Sequence, residues 1–184
     1  MDENGMTLAV DMTGLEPVEG LLASEKLNGC RAFWDGKQFW TRSGNIIAAP
    51  KWFTRGLPGV PLDGEIHAGR GVGISNDNSG FKIASAAVRF GGKWFDNPDL
   101  QFSVFDFPGA QTIWAKRMAE ARTAVRGTLH SAVRVTRIAD IHHFVRYLTA
   151  LRKLGAEGAM FRNPEITRYE IGRSENLLRF KYAN

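Results

Sequence analysis

Ser24-Glu25-Lys26-Leu27-Asn28-Gly29-Cys30-Arg31 is the stretch around which the 184-residue chain is organised. It sets one lysine between an apolar neighbour and a glycine turn, with an arginine five residues further on. A lysine in such a place becomes a nucleophile once its ammonium gives up a proton, and burial and neighbouring cations both push it that way. Alone, Lys26 reads as a surface charge at a strand end. Four further stretches downstream fit the same chemistry and overturn that reading.

Working outward, Arg31-Ala32-Phe33-Trp34 and Gln38-Phe39-Trp40-Thr41 flank Asp35-Gly36, a two-residue turn signal, and predict a hairpin. Arg42-Ser43-Gly44-Asn45 is a second turn with an arginine at its lip. Pro50 to Thr54 opens a short helix that ends before Gly56. Val60 to His67 reads as a strand, and its period of two places Asp63 and Glu65 on one face. Gly69-Arg70-Gly71-Val72-Gly73 lacks the Lys-Ser/Thr ending of a phosphate loop and reads as a flexible basic loop. Residues 79–90 predict a short helix broken by Gly91-Gly92. Upstream of the lysine, residues 1–22 read as a lead-in with a short strand at Leu8-Ala9-Val10.

Toward the C-terminus, Leu100 to Phe107 alternates as a strand and stops at Pro108-Gly109. A helix follows over about 112–126, with Trp114, Met118, Ala121 and Val125 as its apolar stripe. Val133-Arg134-Val135 predicts a strand. Asp140 caps a second helix whose buried face reads as Ile141, Phe144, Val145, Leu148 and Leu151, with Gly155 as its stop. Ala156 to Phe161 is a short strand bearing Glu157. In the last strand, Leu177 to Tyr182, alternation puts Arg179 and Lys181 on one face and Leu178 and Phe180 on the other. Elements mixed without regular βαβ alternation predict an α+β fold with antiparallel sheets flanked by helices.

Composition narrows the function classes. The single cysteine, Cys30, excludes an internal disulfide and a cysteine-based zinc site. His67, His130, His142 and His143 form no ligand pattern. A net charge of +5 suits a polyanionic partner. The N-terminus lacks the basic and apolar regions of a signal peptide, and no apolar run reaches membrane-spanning length. The expectation is a cytoplasmic monomer with no membrane association.

In order along the chain come Lys26 to Arg31, Asp63-Gly64-Glu65, Phe105-Asp106, Glu157-Gly158 and Arg179-Phe180-Lys181. This series resembles the nucleotidyltransferase (adenylation) domain of ATP-dependent DNA ligases, most of all the minimal bacterial and phage-type enzymes. Their motifs read Lys-x-Asp-Gly-x-Arg, Asp-Gly-Glu, Phe-Asp, Glu-Gly and Lys-x-Lys in the same order. Arg42-Ser43-Gly44-Asn45 and Gly172-Arg173-Ser174 resemble the minimal ligases too, and the likeness runs from about residue 22 to 182. One such motif is weak; five in order are specific.

The resemblance implies a single adenylation domain over 1–184 with an ATP pocket between its sheets. Lys26 would attack the ATP α-phosphate, leaving a lysyl-AMP that then activates the 5′-phosphate of nicked double-stranded DNA. Arg179 and Lys181 would supply positive charge, and Glu25, Leu27 and Arg31 would help hold the nucleotide. Glu65 and Glu157 suit the ribose hydroxyls or Mg²⁺, with Mn²⁺ as a substitute. Phe105 would stack on adenine and Met160 would cover its other face. Arg31 and Arg42 would grip the DNA 5′-phosphate. Asp63 reads as a turn-stabilising carboxylate and Asp106 as a strand-end anchor.

The pattern is departed from at Asn28, where the family has aspartate, and at Arg179, where it has lysine. The C-terminal OB-fold module that follows in ligases is expected to be absent from this chain. Two other readings stay open: an RNA ligase or capping-type guanylyltransferase, and a non-catalytic nick- or nucleotide-binding module in which Asn28 marks lost chemistry.

Overall fold

The computed structural model describes residues 5–68, 79–91, 94 and 99–182. The basic loop read at Gly69 to Gly73 and the second glycine of Gly91-Gly92 lie outside them. In chain order the elements are β1 (Thr7–Asp11), β2 (Leu22–Lys26), β3 (Cys30–Trp34), β4 (Phe39–Thr41), β5 (Ile46–Ile47), α1 (Lys51–Thr54), β6 (Leu62–Ala68) and α2 (Ser79–Phe90). Then come β7 (Leu100–Asp106), α3 (Trp114–Ala124), β8 (Ser131–Ala132), β9 (Thr136–Arg137), α4 (Ile141–Lys153), β10 (Gly158–Arg162) and β11 (Gly172–Lys181).

Two sheets form, one in the order β1-β11-β10-β2-β9 and the other β5-β4-β3-β6-β7-β8. Pairing is antiparallel except at β1/β11 and β7/β8. This is the α+β class that the unalternating element order predicts. The loop from Lys26 to Cys30 carries the chain from the first sheet to the second, so the organising stretch lies where the sheets meet.

Each sheet buries one face under a helix. Ala23, Ala159 and Phe161 of the first sheet pack with Phe144, Tyr147, Leu148 and Leu151 of α4. Beneath α2, the second sheet buries Phe39, Leu62, Ile66, Phe102 and Val104, and Ala84 and Ala87 are the helix residues in that cluster. A third cluster of Leu22, Trp114, Met118 and Val133 joins α3 to both sheets, with Leu27 and Phe105 against it. Burial of such side chains is the main favourable term in folding.

Several expectations are corrected. The predicted strand at Val133 to Val135 is instead the crossover between sheets: β8 pairs β7, β9 pairs β2, and the three residues between them bridge the two. Valines suit either role, because Val133 is buried as a bridge while its N–H still reaches Val104 O. On α4, Ile141 and Val145 are exposed, and Tyr147 takes the inner position through its ring contact with Phe161. An apolar arc wider than the strand face leaves its outer members in water, while Tyr can bury its ring and keep its tip polar. The hairpin closes on Gly36-Lys37: Asp35 N–H donates to Gln38 O, and Gly36 takes the positive φ of 98°. Finally, the lead-in is no mere appendage, because β1 is a full strand beside β11, and β11 itself starts at Gly172, well before Leu177.

Candidate active site

Strand register assembles the site. Lys26 pairs with Gly158 and Gly158 with Lys181; one step along, Ser24 pairs with Met160 and Met160 with Arg179. Alternation turns Lys26, Met160, Arg162, Leu177 and Arg179 to the face opposite α4. That face bounds a cavity of about 240 Å³, whose other wall is Arg31 of β3, Glu65 of β6 and Phe105 of β7. Leu8, Ala9, Ser24, Glu25, Leu27, Arg42 and Arg173 complete the lining.

The motif glycines permit the close approaches this needs. A Cβ on Gly29 would fall 2.3 Å from Ile66 O, one on Gly64 2.5 Å from the Phe102 ring, and one on Gly158 2.0 Å from Phe180 O. Each glycine therefore lets its backbone press against a neighbouring strand, which holds the adjoining Lys26, Glu65 and Glu157 at the cavity.

Lys26 Nζ lies 2.5 Å from Glu157 Oε2, and its side chain is 19% exposed. Lys181 Nζ reaches the other oxygen of Glu157 at 3.1 Å. One carboxylate thus joins the two lysines. Arg179 is drawn instead to Asp11, with Nε and Nη2 at 2.6 and 2.8 Å from its oxygens. The ring of cations expected around Lys26 is accordingly a chain of acid–base pairs, and the lysine's direct ionic partner is an acid.

Glu65 faces Lys26 across the site without a direct ion pair among the described residues. Burial raises its carboxyl pKa to about 8; Lys26 and Arg31 pull it down, while Glu157 and Asp63 push it further up. Arg31 is fully tied. Its guanidinium forks onto Asp63 at 3.1 and 2.5 Å and donates to Thr7 O at 2.6 Å. Burial works against its charge, but Asp63 more than offsets this and its pKa rises. Asp63 also accepts from Tyr169 Oη at 2.6 Å, and burial followed by Asp63's charge drives the phenol's pKa up. The Arg31 guanidinium lies 5.2 Å from the Phe105 ring centroid, so one face of that ring is already covered.

Below the cavity floor, Asp106 is wholly buried between Arg117 at 2.7 Å and Arg162 at 3.1 Å. Arg162 in turn covers Trp114, 4.8 Å from the ring centroid.

The structure therefore brings Glu25, Lys26, Leu27, Arg31, Arg42, Glu65, Phe105, Met160 and Arg179 to one cavity. Glu157 and Lys181 join its edge through Lys26. Glu25 belongs by alternation to the α4 face, where its charge acts on Tyr182. Asn28 makes no side-chain hydrogen bond to another described residue. The sequence reading of Asp63 as a turn carboxylate is corrected: it is a buried anchor for Arg31 and Tyr169. Arg162, Arg173 and the β1 residues Leu8 and Ala9 were missed; only the Gly172-Arg173-Ser174 resemblance signalled any of them.

As to metals, Glu65 and Glu157 offer hard oxygen donors, and among the described residues no group of three or more His, Cys, Asp or Glu forms a cage. That suits Mg²⁺, which takes one or two carboxylates with the remainder from water and phosphate.

No family model matches the chain. It is 30% identical over 171 residues to a DNA ligase of Haemophilus influenzae, covering 91% of this chain and 60% of that relative's length. Among solved structures, a DNA ligase of the minimal-scaffold Lig E group superposes with a TM-score of 0.80 at 27% identity, over 97% of this chain and 68% of that one. The Chlorella virus DNA ligase-adenylate gives 0.76 at 22% identity over 96% and 68%, a likeness of fold. The ATP-dependent DNA ligase of bacteriophage T7, solved with ATP, gives 0.66 at 15% over 97% and 68%, also of fold alone. Motif order, register and these likenesses make the chain similar to DNA ligases over the stretch they share, and give it the fold seen in the ligase-adenylate and ATP-bound ligase structures.

Proposed function

We propose that this chain is the catalytic core of an ATP-dependent DNA ligase, in which Lys26 takes AMP from ATP and passes it to the 5′-phosphate of nicked duplex DNA. The observation that carries the reading is a largely buried lysine side chain whose amine pairs with Glu157 at a cavity walled by arginines from both sheets. A triphosphate needs this: cations fixed where charge develops lower the barrier more than anything else the protein can offer.

In the first step the Lys26 nitrogen forms a bond to the α-phosphorus and the bond to pyrophosphate breaks. The ammonium proton must leave first. Glu157, already 2.5 Å away, is the acceptor within reach. Once Glu157 has left Lys26, Lys181 and Arg179 stand on adjacent outward positions of β11 to meet the α-phosphate. Glu65 and Glu157, each in its ionised form, are the residues that would hold Mg²⁺, and the ion would supply positive charge against the phosphates. Met160 and the free side of Phe105 frame the space for adenine. Arg42, exposed at the rim, is the member suited to a DNA 5′-phosphate. Arg31 would act chiefly by holding the cavity wall. The protein would work as a cytoplasmic monomer; no described helix is long and apolar enough to cross a membrane.

The test is incubation with labelled ATP or GTP and Mg²⁺, denaturing electrophoresis, and intact mass measurement for one added AMP. Label should come from ATP and vanish in Lys26→Ala. Label from GTP alone would favour a capping-type enzyme. Binding of nicked DNA with no label at all would favour a non-catalytic module.

A further inference from the structure

Three arginines that line the cavity are each held by the same short strand. Thr7 O accepts from Arg31 Nη1 at 2.6 Å, Ala9 O from Arg173 Nη1 at 2.9 Å, and the Asp11 carboxylate from Arg179 Nε and Nη2. The anchors fall at alternate residues of β1 and reach arginines from both sheets. We infer that β1 is a positioning strand for the cavity's arginines, and that Asp11 is the side chain that aims Arg179 at the phosphates of a bound nucleotide; this rests on the function proposed above.

The register of β1 supports the assignment. Thr7, Leu8 and Ala9 pair in parallel with Gly172, Arg173 and Ser174, and an unbroken ladder would set Asp11 against Asn176. Instead the register shifts between Ala9 and Val10, and Asp11 lies against Arg179. Irregularities of this kind re-aim side chains beside active sites. Arg179 O also accepts from Met12 N–H at 2.9 Å, which fixes the backbone on both sides of the pair.

The pair does little for stability, because the Asp11 side chain is 68% exposed and exposed ion pairs are weak. Its effect is directional. A carboxylate that grips the Nε–Nη2 edge leaves Nη1 of Arg179 with no partner among the described residues, while the residue still lines the cavity. Asp11 also carries a negative charge that disfavours a nearby polyanion in the ground state. Removing it therefore has a signature that general loosening lacks: alignment in the transition state is lost while ground-state affinity is not.

The experiment uses the full chain and measures AMP transfer to Lys26. Asp11→Asn should lower the rate constant about tenfold without raising KM for ATP and without moving the melting temperature. Asp11→Glu should recover part of the rate. In an Arg179→Lys background, where no fork remains to be aimed, Asp11→Asn should cost nothing further. An unchanged rate in Asp11→Asn, or the same loss with lysine at 179, would overturn the inference.

A wild type that takes up no AMP would sink the proposed function instead. The arginine claim is then read from the Arg179 Nε–H nuclear magnetic resonance with inorganic tripolyphosphate as probe. The signal should be slow to exchange in the wild type, fast in Asp11→Asn, and should shift on titration. A signal indifferent to either change refutes it.

Discussion

Two sets of ion pairs meet at the cavity, and they differ in what water can reach. Around Asp106 and Asp63 the charges are locked: both carboxylates are fully buried and every oxygen is engaged by arginine or tyrosine. Along β1, β2 and β11 and just before β10, the pairs of Glu157 with Lys26 and Lys181, and of Asp11 with Arg179, are partly exposed. A buried pair cannot release a partner without stranding a charge in the interior. A half-exposed pair can, because solvent and ligand replace what it loses. The locked set shapes the cavity, and the exchangeable set is available to a phosphate.

The largest effect that would break this comparison lies in the locked set. Asp106→Ala leaves Arg117 and Arg162 facing each other without their anion and should cost about 3–5 kcal/mol of unfolding free energy in urea titration. Asp106→Asn, which keeps the shape, should lose less. A loss near zero for the alanine variant would mean that the buried triad does not hold the floor.

Smaller in stability and larger in activity is Glu157→Gln. The Glu157 side chain is 28% exposed and its pairs lie at the rim, so unfolding free energy should change by no more than about 1 kcal/mol. AMP transfer to Lys26 should nevertheless fall by about a hundredfold, because the proton acceptor and a metal donor go together. A destabilised but fully active variant would erase the distinction between the two sets.

The exchangeable set, Asp11 excepted, was legible in the sequence, and most of the locked set was not. Lys26, Glu157, Arg179 and Lys181 stand in short motifs whose order carries the resemblance, and strand alternation assigns the faces of Arg179 and Lys181. Asp63, Tyr169 and Thr7 meet only because β1 and β6 lie on different sheets that share an arginine, and no local spacing encodes that meeting. Asp106 could be read only as a strand end, since Arg117 and Arg162 arrive from α3 and β10. For the fold, periods of two and of 3.6 located the strands and helices, whereas the crossover at Val133 to Val135 depended on which sheet each neighbour joined. The lead-in was misjudged for a related reason. β1 is amphipathic only weakly, and its importance lies in two carbonyls and one carboxylate that act at long range.

Glu65 belongs to neither set, and its pH dependence sharpens the boundary. It is hemmed in enough for burial to hold its pKa at about 8, yet no direct ion pair fixes it among the described residues. Since an unfolded chain gives glutamate an ordinary value near 4.5, the native state keeps the proton between those limits while the unfolded state releases it. Stability from this group is therefore complete below pH 4.5 and is lost as pH rises through about 8. Glu65→Gln, a permanent stand-in for the protonated acid, should gain in melting temperature relative to wild type as buffers move from pH 5 to pH 8.5, with Mg²⁺ and nucleotide left out. The gain should shrink when Mg²⁺ and ATP are added at pH 8.5, because only the wild-type carboxylate can ionise toward a cation. A difference flat across pH would mean that solvent reaches Glu65 freely, and the cavity wall would then join the exchangeable set.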